Sequence, residues 1–114
     1  MIEIEDRVFT ALADTTRRRL LTRLAQSGPK TATQLAREFP ISRQGIMKQL
    51  DLLFHAGLVQ TQRSGRERQY VFDPQSLQAA SSWIETIGKQ WEERLQRLKD
   101  FIEGDSDKPG SSHQ

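Results

Sequence analysis

The 114-residue chain contains no cysteine, and this absence excludes several classes of protein at once. Without thiols there is no disulfide framework, no thiolate metal site and no thiol redox switch. Long hydrophobic runs are also missing, since none approaches the roughly 18 apolar residues that a membrane span needs. The acidic segment from Met1 to Asp6 lacks the basic and then apolar layout of a signal peptide. We therefore expect a cytoplasmic protein with no membrane partner.

Histidine is scarce, and no pattern of catalytic side chains can be assembled around it. Only His55 and His113 occur in the chain. No Ser/His/Asp set, no suitable pair of carboxylates and no phosphate-binding glycine loop is present. His55 lies at the end of a predicted helix, where a cationic side chain suits the helix dipole. We expect no catalytic residue, no enzyme activity and no bound cofactor.

The charges are segregated along the chain, although the net charge is only +2. Residues 1–16 hold one Arg against four acidic residues, and residues 73–114 hold five Lys and Arg against eight. Residues 17–72, by contrast, hold eleven Lys and Arg against three acidic residues. A basic centre between acidic ends predicts a surface that faces a polyanion.

Apolar residues at helical spacing predict four helices in the first half of the chain. The segment Asp14–Thr16 offers oxygens that can cap the second helix. Thr31 and Gln34 have the spacing of a capping box at the start of the third, which Pro40 ends. Ser42 can cap the fourth, and the apolar residues expected on its buried side are Ile41, Ile46, Leu50, Leu53 and Phe54.

The apolar period then changes from 3.6 to 2, which predicts a β-hairpin. Residues 58–63 and 67–72 are the expected strands, and Ser64–Arg66 is the turn. A long fifth helix follows from Pro74. The predicted fold class is mainly α with a β-hairpin wing, in the order α-α-α-α-β-β-α. One domain is expected over residues 1–103, with a disordered tail over residues 104–114.

The third and fourth helices are joined by the short segment Phe39–Ile41, which is typical of a helix-turn-helix. In that motif the second helix enters the DNA major groove, and Arg and Gln side chains match the edges of guanine and adenine. An arginine-rich hairpin directly after this helix could grip the phosphate backbone. The residues predicted to contact double-stranded DNA are Ser42, Arg43, Gln44, Met47, Lys48, Arg63, Arg66 and Arg68.

Two linked segments carry a resemblance to a known family. The first is Phe9-Thr-Ala-Leu-Ala-Asp-Thr-Thr-Arg-Arg-Arg-Leu-Leu, and the second is Ile41-Ser-Arg-Gln-Gly-Ile-Met-Lys-Gln-Leu, which leads into Ala56-Gly-Leu-Val. Both resemble the signature of ArsR-type winged helix-turn-helix regulators. The resemblance covers residues 4–103 and implies a homodimer that represses a promoter by binding an operator.

Metal sensing is not expected in this chain, although many relatives use it. The segment Ala32–Phe39 lacks the cysteines of one type of sensor, and residues 75–103 lack the histidines of another. The acidic residues of the last helix have no imidazole partners for zinc or nickel. We therefore predict no metal site.

A long apolar stripe on the last helix predicts dimerisation through the terminal helices. It exceeds what a small core can cover, so part is expected to pack on the first helix and the rest on a second subunit. The predicted interface residues are Ile4, Val8, Trp83, Ile87, Trp91, Leu95, Leu98 and Ile102.

Three alternatives stay open at this stage. The winged fold could serve as a protein-interaction module without specific DNA binding. A small organic effector could bind at the dimer interface, where Trp83 or Trp91 would line a pocket. Control by protein abundance alone would need no effector, and the identity of any effector is unknown.

Overall fold

A computed structural model of the chain describes residues 4–106. Contacts divide the chain into two compact units, one ending at Ser81 and the other beginning at Ser82. The elements are α1 (Ile4–Leu12), α2 (Thr15–Ser27), β1 (Lys30–Thr31), α3 (Ala32–Glu38), α4 (Arg43–His55), β2 (Val59–Ser64), β3 (Glu67–Phe72) and α5 (Pro74–Ser106). The predicted fold class is confirmed, with the short strand β1 as an addition.

The helices of the first unit begin at the residues that the capping patterns predict. The Asp14 carboxylate accepts a hydrogen bond from the Arg17 amide at 3.1 Å. Thr31 Oγ1 accepts from the Gln34 amide at 3.1 Å, and Gln34 Oε1 accepts from the Thr31 amide at 2.8 Å, which completes the capping box. Ser42 caps α4 in the same way. Each side chain satisfies a backbone N–H that has no partner within its helix.

The three strands form one antiparallel sheet in the order β1-β3-β2. Ser64 pairs with Glu67, so the hairpin turn contains only two residues, and Gly65 has a φ of 66° there. A two-residue hairpin turn favours a residue that tolerates positive φ. The sequence did not predict β1, because two residues are too few to show an alternating pattern. Its pairing joins the wing to the start of α3.

The core of the first unit lies among its helices and the base of the wing. The large side chains that are fully buried are Val8, Leu20, Leu24, Leu35, Ile46, Leu50, Leu53, Leu58 and Val59. Val8 was predicted at a dimer interface, but it has no exposed surface in the chain and so belongs to this core. Phe54 was predicted to be buried and is 40% exposed, because it lies 100° around α4 from Leu53.

In the second unit, α5 continues to Ser106. Gly104 lies within this helix, because one glycine weakens a helix without ending it, and the predicted disordered tail stays a prediction. The large apolar residues from Trp83 to Ile102 on this helix are all exposed. The side chain of Ile4 and residues 107–114 lie outside the described part of the chain. Over residues 4–106, no helix combines the length and apolar character that a membrane span requires.

Candidate nucleic-acid interface

An open groove of about 530 Å³ lies between α4, the start of α3 and the wing. It is lined by Thr31, Ala32, Thr33, Arg43, Met47, Arg63, Arg66, Glu67, Arg68 and Tyr70. Five of the eight residues predicted to contact DNA are among them, two from the helix and three from the hairpin. The fold thus brings together two basic segments that are about twenty residues apart in sequence.

The exposed residues of α4 form two neighbouring rows. Arg43 and Met47 are one helical turn apart and face the groove. Gln44 and Lys48 lie one position further along, which turns them 100° around the helix, and both are exposed. The first two turns of α4 therefore present an arginine, a glutamine and a lysine outward. Its opposite side is buried.

Gly45 allows the helix-turn-helix turn to pack against α4. A Cβ atom at this position would lie 2.6 Å from Cγ2 of Ile41 and 3.3 Å from Oγ of Ser42. Ser42 Oγ accepts a hydrogen bond from the Gly45 amide at 3.1 Å. A larger residue would therefore displace both the turn and the cap. This position keeps the start of α4 in place beside the groove.

The wing concentrates positive charge on its two strands. Arg63 and Arg68 are directly opposite each other in the register of β2 and β3, and Arg66 lies in the turn. Arg63 also donates a hydrogen bond of 3.5 Å to the Arg66 carbonyl. Like charges that face each other across a hairpin are unfavourable unless a counter-charge is present. The groove is lined by four arginines and by one acidic residue, Glu67. A polyanion would supply the missing counter-charge.

Thr33 is a groove residue that the sequence analysis missed. Its Oγ1 accepts a hydrogen bond of 3.0 Å from Nε of Arg43. The contact uses one of the five N–H donors of the guanidinium. No local sequence signal marks Thr33, because its partner is ten residues away and belongs to another helix.

Comparison with known proteins agrees with this geometry. Residues 12–62 match the family model described as a helix-turn-helix domain. The chain is 35% identical over 102 residues to the HTH-type transcriptional regulator Rv2034 of Mycobacterium tuberculosis, covering 90% of this chain and 92% of that protein. The structure is also similar to that of an ArsR-like transcriptional regulator from Rhodococcus sp. RHA1, with 37% sequence identity and a TM-score of 0.78. The matched region covers 86% of this chain and 92% of the Rhodococcus chain.

This chain belongs to the ArsR-type winged helix-turn-helix family. This ArsR-type chain is also similar to the transcriptional repressor SdpR of Bacillus subtilis. The two are 34% identical over 77 residues, which cover 68% of this chain and 84% of SdpR. As a member of the family, the protein is a DNA-binding transcriptional regulator.

In this ArsR-type regulator two of the three consecutive arginines of α2, Arg17 and Arg18, make hydrogen bonds within the chain. Arg17 Nε donates to the Ala11 carbonyl at 2.7 Å, and its terminal nitrogens donate to the Thr10 carbonyl and to Gln49 of α4. Arg18 donates to the Leu12 carbonyl at 2.6 Å. These bonds satisfy carbonyls at the end of α1. Arg17 and Arg18 therefore hold the junction between α1 and α2 together.

An ion pair joins α2 to the end of α3 in the ArsR-type chain. Nε of Arg23 lies 2.7 Å from Oε1 of Glu38, and Nζ of Lys30 lies 3.5 Å from Oε2. The hydrogen bond from Arg23 is the main cause that lowers the pKa of Glu38, and the same bond raises the pKa of Arg23. The pair links α2 to the last turn of α3, the first helix of the helix-turn-helix.

Over residues 4–106 of this ArsR-type protein, no three His, Asp or Glu side chains are grouped as metal ligands would be. The acidic residues of α5 from Glu85 to Glu103 are all exposed.

Proposed function

We propose that this regulator is a repressor that binds an inverted-repeat operator as a homodimer. The groove that α4 and the wing share carries the proposal, because it offers base-reading and phosphate-binding side chains on one basic surface. Arg43, Gln44, Met47 and Lys48 would face base edges in the major groove. The remaining DNA contacts, from Ser42, Arg63, Arg66 and Arg68, would lie mainly on the backbone.

The exposed apolar stripe of α5 supports dimerisation through the terminal helices, which this function requires. The apolar residues of α5 from Trp83 to Ile102 are 43 to 71% exposed, and they recur every three or four positions over five turns. A continuous apolar stripe of this length is costly in water, and a second copy of the same helix would cover it. Two recognition helices would then read half-sites about 34 Å apart.

Selection of bound duplexes from a random DNA pool at about physiological salt tests this function. We expect an inverted repeat with half-sites separated by about one helical turn, or 10 base pairs. Recovery of no common sequence from a folded dimer would contradict the proposal. Tolerance of charge removal at Arg43 and Lys48 would then favour a protein-interaction module.

The variant Gln44→Ala tests which residues read bases. We expect it to relax the preference at particular operator positions, each worth about 1–3 kcal/mol, because a glutamine makes paired hydrogen bonds to adenine. Gln26→Ala is the matched control, since Gln26 is an exposed glutamine of α2 outside the groove. A selection repeated with each variant measures the change. A uniform loss of affinity in Gln44→Ala, with the same preferred sequence, would show that this residue does not read bases.

A further inference from the structure

A second cleft, distinct from the DNA-facing groove, lies between the end of α1, the start of α2 and the last turns of α4. Its volume is about 360 Å³, which falls in the range of small-molecule sites, about 300–1,000 Å³. The residues that line it are Arg7, Thr10, Ala11, Arg17, Leu52, His55 and Ala56. All of them belong to the first compact unit.

The polar side of the cleft is cationic. Arg7 and Arg17 line it together with His55, and no Asp or Glu is among the described residues at its surface. The three hydrogen bonds of Arg17 use three of the five N–H donors of a guanidinium, so two are available to a ligand. His55 has its Nδ1 2.8 Å from the Asp51 carbonyl, so that nitrogen donates within the helix. The donors that suit a carboxylate are therefore those of Arg7 and Arg17.

The other side of the cleft is apolar. Leu52 is 44% exposed, although it belongs to a helix whose other leucines, Leu50 and Leu53, are fully buried. Ala11 and Ala56 are buried beside it and add no polar atom from their side chains. A ligand that covered Leu52 would remove apolar surface from water. The cleft therefore combines a place for a negative charge with a place for a hydrocarbon body.

We propose that this cleft binds a small organic carboxylate, with an apolar body of about six to ten carbon atoms, and that binding changes the affinity for DNA. The second half of the proposal follows from where the lining residues lie. Leu52, His55 and Ala56 are at the end of α4, whose first turn faces the DNA-binding groove. Arg17 donates from the cleft to Gln49 of the same helix at 2.9 Å. A carboxylate bound to the two remaining donors would pull on the guanidinium that holds Gln49, and so alter how α4 is held.

Binding is tested on the full chain without DNA, so the result is independent of the proposed operator. Benzoate, cyclohexanecarboxylate and octanoate are titrated in turn, each beside its neutral amide, and binding is followed by backbone amide NMR shifts and by calorimetry. We expect saturable binding of at least one acid, one per chain, with shifts at the end of α1 and the last turns of α4. The matching amide should bind at least about tenfold more weakly, since charge-assisted hydrogen bonds are lost. Absence of saturable binding for all three acids, or equal binding of acid and amide, overturns the site.

Two variants locate the bound acid. Arg7→Gln removes one cation from the cleft at an exposed position and should weaken binding at least about fivefold. Arg19→Gln is the control, because Arg19 is an exposed arginine of α2 that does not line this cleft. Equal weakening in both variants would mean general attraction to a basic protein and would overturn the assignment.

Coupling to DNA is measured as the affinity for duplex DNA with and without the saturating acid. The duplex is the selected operator, or random duplex if no operator is recovered, so failure of the operator proposal does not affect this test. Because coupling is reciprocal, the acid should change the DNA affinity by the factor by which DNA changes the acid affinity. We expect a change of at least about fivefold, the lower end of usual coupling. An unchanged DNA affinity with the acid bound overturns the regulatory half of the proposal.

Discussion

Replacing Arg66 with alanine should flatten the salt dependence of DNA binding without changing the preferred sequence. Arg66 lies in the two-residue turn of the wing, and its side chain is exposed. Its removal should therefore leave stability within about 0.5 kcal/mol. Each phosphate contact contributes about −0.9 to the slope of log Kobs against log salt concentration, so a dimer that loses two contacts should change by about 1.8.

This slope gives a measurable difference in affinity. Between 50 and 200 mM salt, a slope change of about 1.8 means that the parent protein loses roughly tenfold more affinity than the variant. Fluorescence anisotropy with the selected duplex at four or more salt concentrations measures both slopes. Arg37→Ala is the control, because Arg37 is an exposed arginine of α3 that does not line the groove. An unchanged slope, or a new preferred sequence, would refute the assignment of Arg66 to the backbone.

Three further predictions concern assembly and stability. Leu95→Glu should convert the dimer to a monomer in sedimentation experiments and weaken operator binding; a stable dimer would contradict the interface on α5. Gly57→Ala should lower the free energy of unfolding by at least about 2 kcal/mol, as measured by urea denaturation, because Gly57 has a φ of 77° and the added Cβ meets the Ser76 side chain. Gly65→Ala should lower the free energy of unfolding by only about 1 kcal/mol, because Gly65 has a φ of 66° but open space around it. Equal losses in the two variants would exclude a clash at position 57. Glu38→Gln should lower stability at pH 7 because the bond from Arg23 lowers the pKa of Glu38 in the fold. The ionised, paired Glu38 stabilises the fold fully above the unfolded pKa of about 4.3. The difference in free energy of unfolding between parent and variant should therefore vanish as the pH falls through the lowered pKa of the folded state. A difference that persists in acid would show another cause.

The helices and their starts could be predicted because their signals are local. The oxygen of Ser42 and the capping box at Thr31 act on amides within three residues, so they are visible in any short segment. The turn of the wing is similarly encoded by Gly65 between two alternating runs. The mainly helical fold with a hairpin wing follows from these signals and was predicted in the correct order, except for β1.

The errors arose where a residue's environment depends on distant parts of the chain. Val8 has the spacing of an interface residue, but the helices packed around it remove all of its surface. Phe54 is as apolar as Leu53, yet its direction on α4 leaves it exposed. In each case periodicity identified an apolar position correctly. It did not specify whether the chain's own core, another subunit or solvent would surround that side chain.

The sequence by itself determined which side chains are candidates for DNA contact, because the type, charge and helical spacing of Arg43, Gln44 and Lys48 are local properties. Only the tertiary structure decided how they are assembled. Pairing of β1 with β3 brings the wing against the start of α3, and this contact creates the groove shared by Thr33, Arg43 and the wing arginines. The second cleft arises in the same way, from the packing of α1, α2 and α4. The physical reason is that a groove is made of residues distant in sequence, and no local pattern records which surfaces the burial of a common core will bring together.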